Sequence, residues 1–573
     1  MTFKSSPDIP QLRFPPPDDV PIHKVLLEDS FDRHPTAHSR SLYRCGLSGR
    51  SYSVSEMHKR VEAVASAMAQ ICSWNPNQGS QWDKVVAVFA YNSVIAWATH
   101  RLSGIVTPAN AAYVTSELLN QLEKTRARVL FTCAALLPVA LDAAHGAGIP
   151  DDRIFLLEIA GEDHSVVSET IKLRTISDLV LLGQASPPLD ALTWSPGQGK
   201  WQLAYICFSS GTSGLPKGVM ISHRNVIANV FQLGVFERMQ RTPGATEVAL
   251  GLLPQSHIYA LVVICHACLF RGDEVVILPR YDLHAMCRAV AKYSINTLFL
   301  VPPILLDFLR RHRELGEYDL SCVTNLMTGA ASFGATETTT LRKLFPRGIL
   351  RQGYGLTESS AVVSSLPRFD PFPGSSGLLL PDVECKIVDE NGEEHTERGQ
   401  AGEVWIRSPS VALGYLDNEK ATQETFGDKW LRTGDKGEFR LSPKGYEHLF
   451  IVDRIKDLIK VKGMQVAPAE LESHILGNPA VADVAVVAVK NDRDGEVPKA
   501  FVVKRTTASM TDADLVAEIH QSIRAHKAKY KWLRGGIELC ESIPKSPSGK
   551  ILRRVLEEAG KTAFKGKTKG AKL

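Results

Sequence analysis

Two hydrophobic periods alternate along the first part of the chain. "VSEMHKRVEAVASAMAQIC" places apolar side chains at helical spacing, whereas "KVVAVFA", "RVLFTCA" and "RIFLLEI" are short unbroken apolar runs that predict buried strands. Helices alternating with such strands predict α/β layers around a parallel sheet. The pattern returns in "EVVILP", "INTLFLVPP" and "VTNLMTGAA". From about Cys385 it gives way to short strands and turns ("CKIVDENGEE", "GEVWIRS", "KGYEHLFIVD"), which predict a small β subdomain. Beyond "IVDRIKDLIKVKG", the runs "VADVAVVAVK" and "KAFVVKR" and the amphipathic "ADLVAEIHQSIRAHKAKY" predict a separate α+β domain. The predicted class is α/β, with a large N-terminal domain (1–452) made of two α/β sheets and the small β subdomain. A linker at 453–456 leads to a smaller α+β C-terminal domain at 457–560 and a basic tail at 561–573.

A chain of 573 residues exceeds one ordinary core, which agrees with several units. The net charge of +4 is too small to point to nucleic acid as the main partner. Ten cysteines lie scattered without a disulfide framework. "CHAC" at Cys265–Cys268 has metal or redox spacing, but no second ligand pair accompanies it, so buried apolar thiols are expected. The longest apolar run, near Ile258–Phe270, is shorter than the roughly 20 residues of a transmembrane helix, so none is expected. The proline-rich start has no signal-peptide core. At the other end, Ala571-Lys572-Leu573 follows a lysine-rich tail and matches the S-K-L type of address, which predicts recognition by the peroxisomal import receptor and a peroxisomal location.

"SSGTSGLPKG", Ser209–Gly218, follows the apolar run "WQLAYICF". Its glycines, hydroxyls and single cation offer backbone N–H groups and a positive charge suited to a polyphosphate. The Walker spacing is absent, because Lys217 follows Pro216 and precedes Gly218. No GxGxxG follows a strand, and no GxSxG elbow occurs.

With "PQSHIYAL", "TGAAS", "RQGYGLTES", "WLRTGD", "IVDRIKDLIKVKG" and "PKSPSGK" in this order, the chain resembles the adenylate-forming superfamily of acyl-CoA ligases, peptide-synthetase adenylation domains and firefly luciferase. The likeness runs from about residue 40 to residue 555. "LPQSHIYAL" and "QGYGLTE" look like the 4-coumarate:CoA ligase branch, and the context of the glycine loop is similar to fungal phenylacetyl-CoA ligases. The resemblance implies that a carboxylic acid is joined to AMP from ATP, with Mg²⁺, and that CoA then displaces AMP.

By match to the family motifs, Ser209, Ser210, Gly211, Thr212, Ser213 and Lys217 form a phosphate loop. Gly329, Ala330 and Ala331 face adenine, with Gln352, Gly353 and Tyr354 as its other wall. Thr357 contacts the α-phosphate, Glu358 holds Mg²⁺, and Asp435 accepts the ribose hydroxyls with support from Arg454. His257 stands where the acyl and thiol tunnels join, and Tyr259 and Val263 line the acid pocket. Lys550 bridges carboxylate and phosphate during adenylation, whereas Lys460, Lys462 and Gly463 serve the attack by CoA. One small domain cannot present both faces at once, so the resemblance implies a rotation about the linker near Lys456. Arg280 occupies a position where relatives touch the CoA phosphates.

Three departures stand out. Ser332 replaces a common proline beside the adenine motif, and a four-residue excess between Asp435 and Arg454 falls in the turn-rich "RLSPKG". Val263 cannot hydrogen-bond a phenol, which tilts the expected acid from hydroxycinnamates toward phenylacetate-like or medium-chain aliphatic acids. Luciferase-like oxidation or loading of a carrier protein is the alternative reading.

Overall fold

A computed structural model describes residues 1–91, 95–161, 173–209, 216–329, 341, 343–462, 464–491, 494–506, 508–545 and 550–559. Ser210, Gly211, Thr212, Ser213, Ala330, Ala331, Ser332, Gly463 and the Ala571-Lys572-Leu573 terminus lie outside them.

The described strands form four sheets. In one, Val85–Phe89, Val129–Thr132, Ile154–Leu156 and Leu203–Ser209, which lie in the quoted apolar runs, run parallel together with Ile105–Pro108, which no quoted run marks. Lys217–Ser222 adds to that sheet antiparallel to Leu203–Ser209. The second sheet is built on Val248–Gly251, Glu274–Ile277, Thr297–Leu300 and Asn325–Gly329, also parallel. Ile349–Leu356 continues it in parallel, and Ala361–Ser365 then turns antiparallel. The small β unit is antiparallel throughout, and the fourth sheet lies in the C-terminal module around Val481–Asn491 and Gly495–Lys504.

Apolar faces of the two large sheets share one core with the helix His223–Arg238 and the segment Tyr259–Ala267. That segment is a π-helix, an uncommon form that recurs at functional sites. It holds Cys265, with Cys268 just beyond; both are buried, and among the described residues no metal-binding cluster includes them. Among the described residues no helix is long and apolar enough to cross a membrane.

The start of the chain joins the small β unit. Phe3–Lys4 pairs with Glu384–Val388, and the Phe3 ring stacks on Phe439 at 3.9 Å. Nothing in the local composition signals a strand, because the edge that receives it lies far along the chain.

Candidate active site

Two strand pairings build the centre of the site. Leu431–Leu441 and Glu447–Arg454 are antiparallel neighbours whose register sets Asp435 opposite Arg454. Arg454 Nε lies 3.0 Å from Asp435 Oδ1, and the Tyr354 hydroxyl donates to Oδ2 at 2.7 Å. The Asp435 backbone N–H donates to Thr433 Oγ1, which fixes the strand bend that presents the carboxylate. Asp435 is only 3% exposed; burial raises its pKa against the opposing pull of Arg454, Tyr354 and Lys550. The four-residue excess seen in the sequence falls at the distal hairpin turn beyond Leu441, away from this pair.

Tyr354 shares the strand Ile349–Leu356 with Gln352 and Gly353, and Gly353 pairs with Gly329 of the parallel neighbour. Both glycines leave the backbone open, since a Cβ on either would reach only a carbonyl oxygen at 3.6 Å. Gly355 is different: a Cβ there would stand 1.6 Å from the Ala361 carbonyl, so the turn into Thr357 and Glu358 requires glycine. Beyond it Ala361 takes φ 117, a conformation that L residues rarely adopt.

Lys217 begins its strand opposite Ser209, across the two ends of the glycine loop. Its ammonium lies 4.7 Å from the centre of the Tyr415 ring, and the Tyr415 hydroxyl donates to Glu358 Oε1 at 2.9 Å. Tyr415 thus links the loop cation to the candidate metal acid. Sequence reasoning missed it, because "ALGYLDNE" carries no charge pattern; its place comes from pairing with Val219.

Strand Ile349–Leu356 is held from behind by Arg351, also unremarked in the sequence. Its guanidinium forks onto Glu237, with Nη1–Oε2 at 2.9 Å and Nη2–Oε1 at 2.7 Å, while Nε donates to the Leu366 carbonyl. Burial would raise the Glu237 pKa, but Arg351 outweighs it and draws it down to about 2.

His257 precedes the π-helix and is exposed. Desolvation in the crowded cleft, then the charge of Lys550, lowers its imidazole to about 4. Tyr259 donates to the Met327 carbonyl at 3.3 Å, and Val263 is buried behind it. A cavity of about 40 Å³ opens on another face of the same helix, lined by Trp97, Tyr205, Leu261, Cys265 and His266.

Lys550 reaches this region from the C-terminal module. It is close enough for its charge to act on His257, Asp435 and Glu358, and its own pKa is lowered by burial and then by Arg454. Lys456 follows Arg454 in the short 3₁₀ turn Ile455–Asp457. Lys460 and Lys462 are placed elsewhere: both are exposed, Lys460 donates its backbone N–H to Glu496, and Lys462 pairs with Asp494. Arg280 is exposed just past the strand Glu274–Ile277.

A cleft that gathers these acids and cations between a large α/β domain and a small α+β module defines the adenylate-forming class. The chain belongs to the AMP-binding enzymes: that family's model matches residues 27–416, and the model of the AMP-binding enzyme C-terminal domain matches 470–550. It is 36% identical over 565 residues to acyl-CoA ligase easD of Emericella nidulans, covering 97% of this chain and all of that one. It is 40% identical to acyl-CoA ligase AKT1 of Alternaria alternata, covering 97% of each. Among solved structures, the anthranilate CoA ligase AuaEII in complex with anthranoyl-AMP shares the fold with a TM-score of 0.80 at 22% identity, over 96% of this chain and 98% of that one.

Proposed function

We propose that this chain activates an aryl or medium-chain carboxylic acid for transfer to CoA, by way of an acyl-AMP. The chain is an ATP-dependent acyl-CoA ligase that uses ATP, Mg²⁺ and CoA. The observation that carries the proposed division of labour is Lys550, brought by the C-terminal module to the acids and imidazole of the N-terminal cleft.

In the first step an oxygen of the acid attacks the α-phosphorus of ATP and pyrophosphate leaves, so negative charge grows on the phosphates. Lys217, with the glycine loop, meets the departing β- and γ-phosphates, and Lys550 draws carboxylate and α-phosphate together. Thr357 follows the adenine-wall strand directly and contacts the α-phosphate. Asp435 accepts both ribose hydroxyls, since a carboxylate offers two acceptor oxygens, while Arg454 keeps it oriented. Gln352, Gly353, Tyr354 and Gly329 enclose the base.

A single carboxylate with Tyr415 on one oxygen fits Mg²⁺, which is ordinarily held by one or two acids with waters and substrate phosphates. When bound, the ion offsets the charge that develops on those phosphates.

In the second step the CoA thiol attacks the acyl carbon and AMP leaves. A neutral His257 is able to accept the thiol proton. The C-terminal module turns about 453–456 to exchange Lys550 for Lys460 and Lys462. Exposed Arg280, Lys460 and Lys462 favour free CoA, with its phosphates, over a thiol borne on a carrier protein. Apolar Val263 beside Tyr259 favours a phenylacetate-like or medium-chain acid. The fungal acyl-CoA ligases support the ligase activity, the tail ending Ala571-Lys572-Leu573 supports a peroxisomal location, and "LPQSHIYAL", "QGYGLTE" and the context of the glycine loop support a place near the 4-coumarate and phenylacetyl ligases.

Pyrophosphate release across phenylacetate, cinnamates and C6–C12 fatty acids tests the acid class. Release greatest with phenylacetate or a medium-chain acid supports it, and release confined to hydroxycinnamates contradicts it.

A further inference from the structure

We infer that Asp494 is the residue that positions Lys462 for the CoA step. This rests on the role given to Lys462 above. Two hairpins meet here: Ile459–Val461 with Met464–Val466, and Val481–Asn491 with Gly495–Lys504. Their strands pair at Val461 with Gly495, and the Lys460 N–H donates to Glu496 across the same junction.

Strand alternation orients the first hairpin only up to that point. Ile459 and Val461 are buried and Lys460 is exposed, so the pleat itself aims Lys460 outward. Lys462 lies one residue past the strand, in the left-handed region at φ 52, where no pleat decides its direction. Asp494 does. Its backbone carbonyl accepts the Lys462 N–H at 3.0 Å, and its Oδ1 lies 3.0 Å from Lys462 Nζ. Its second oxygen accepts from Arg534 Nη1. The carboxylate is 3% exposed whereas the Lys462 side chain is 52% exposed, so a buried, doubly held acid grips an outward-facing lysine.

Such a grip suits a working lysine. One carboxylate between two cations leaves the trio with a surplus positive charge, and Asp494 holds the ammonium by charge at 3.0 Å, while an ammonium carries three donors. The ammonium, on a side chain 52% exposed, can turn its donors to CoA with less rotamer freedom than a lysine on a bare surface. Lys462, Asp494 and Arg534 all belong to the C-terminal module, so the trio travels intact when that module turns.

The test separates the two half-reactions, using whichever acid of the phenylacetate, cinnamate and C6–C12 panel releases most pyrophosphate, and the acyl-AMP of that same acid. D494A is expected to slow thioester formation about ten-fold or more and to raise KM for CoA, while pyrophosphate release stays within about two-fold. D494E should recover part of the loss. In a double-mutant cycle, D494A should add little to K462A, since both remove one interaction. Equal losses in both half-reactions with a lowered melting temperature would mark Asp494 as merely structural and overturn the inference. So would a D494A enzyme with a normal CoA step while K462A is slow. If K462A itself leaves the CoA step unchanged, the role of Lys462 fails first and takes this inference with it.

Discussion

Asp435 and Arg454 face each other across one antiparallel strand pair, and the arginine that grips the carboxylate ends its strand inside the segment 453–456. The residue proposed for ribose and the proposed pivot of the smaller module are therefore joined by one ion pair.

D435N keeps an acceptor for the Tyr354 hydroxyl but loses the charge that faces Arg454. We expect KM for ATP to rise about ten-fold or more, equivalent to about 1.4 kcal/mol, with a melting temperature close to that of the parent. Initial rates against ATP, paired with thermal unfolding, check this. An unchanged KM removes Asp435 from the nucleotide site.

Y415F keeps the ring beneath Lys217 and deletes the hydrogen bond to Glu358. The expected result is a higher Mg²⁺ requirement for pyrophosphate release and a fall in rate of roughly 10- to 100-fold, the scale of one hydrogen bond to a charged group. Magnesium titrations of parent, Y415F and E358Q rank the three, with E358Q the most impaired.

Two pKa shifts make opposite pH signatures. The His257 pKa is depressed to about 4, so the ring is neutral from pH 5 to 8 and contributes no limb near 6.5 to the CoA step. The Lys550 pKa is also lowered, and there the cation is the active form. As pH rises through that lowered value the charge is lost, so adenylation should fall in the alkaline range earlier than an ordinary lysine would dictate. K550R, charged throughout, should move that limb upward in whatever activity it retains. A pH–rate profile for each half-reaction reads both effects.

The buried Arg351–Glu237 pair predicts a pH window for stability. Glu237 has a folded pKa of about 2, below its unfolded value near 4.3. Its contribution is therefore present above the unfolded pKa and is lost as pH falls toward 2. Removing one partner alone strands the other charge, and R351A should cost about 3–5 kcal/mol. Denaturant unfolding of R351A and of the R351M/E237L double variant checks this; the double variant should be much closer to the parent.

The sequence shows the fold plainly wherever structure is local. The helix Val54–Cys72 and the strands Val85–Phe89, Val129–Thr132, Glu274–Ile277 and Thr297–Leu300 coincide with their apolar runs, because each buries a face that its own spacing defines, whereas Ile105–Pro108 and Val248–Gly251 are not marked. Asp435, Arg454, Glu358 and Lys550 are marked by motifs whose residue types the chemistry demands. What stays hidden is contact across distance. Arg351 looks like an ordinary polar residue beside a glycine motif, and its partner lies 114 positions away. Tyr415 and Phe3 are equally silent, since each takes its place from a strand edge supplied by another part of the chain.

The most direct test of the account is a comparison of the two half-reactions in K550A. Acid-dependent release of pyrophosphate from Mg-ATP should be abolished, while thioester formation from supplied acyl-AMP and CoA should remain largely intact. Equal loss of both half-reactions, or release of phosphate with ADP in place of pyrophosphate with AMP by the parent enzyme, would contradict it.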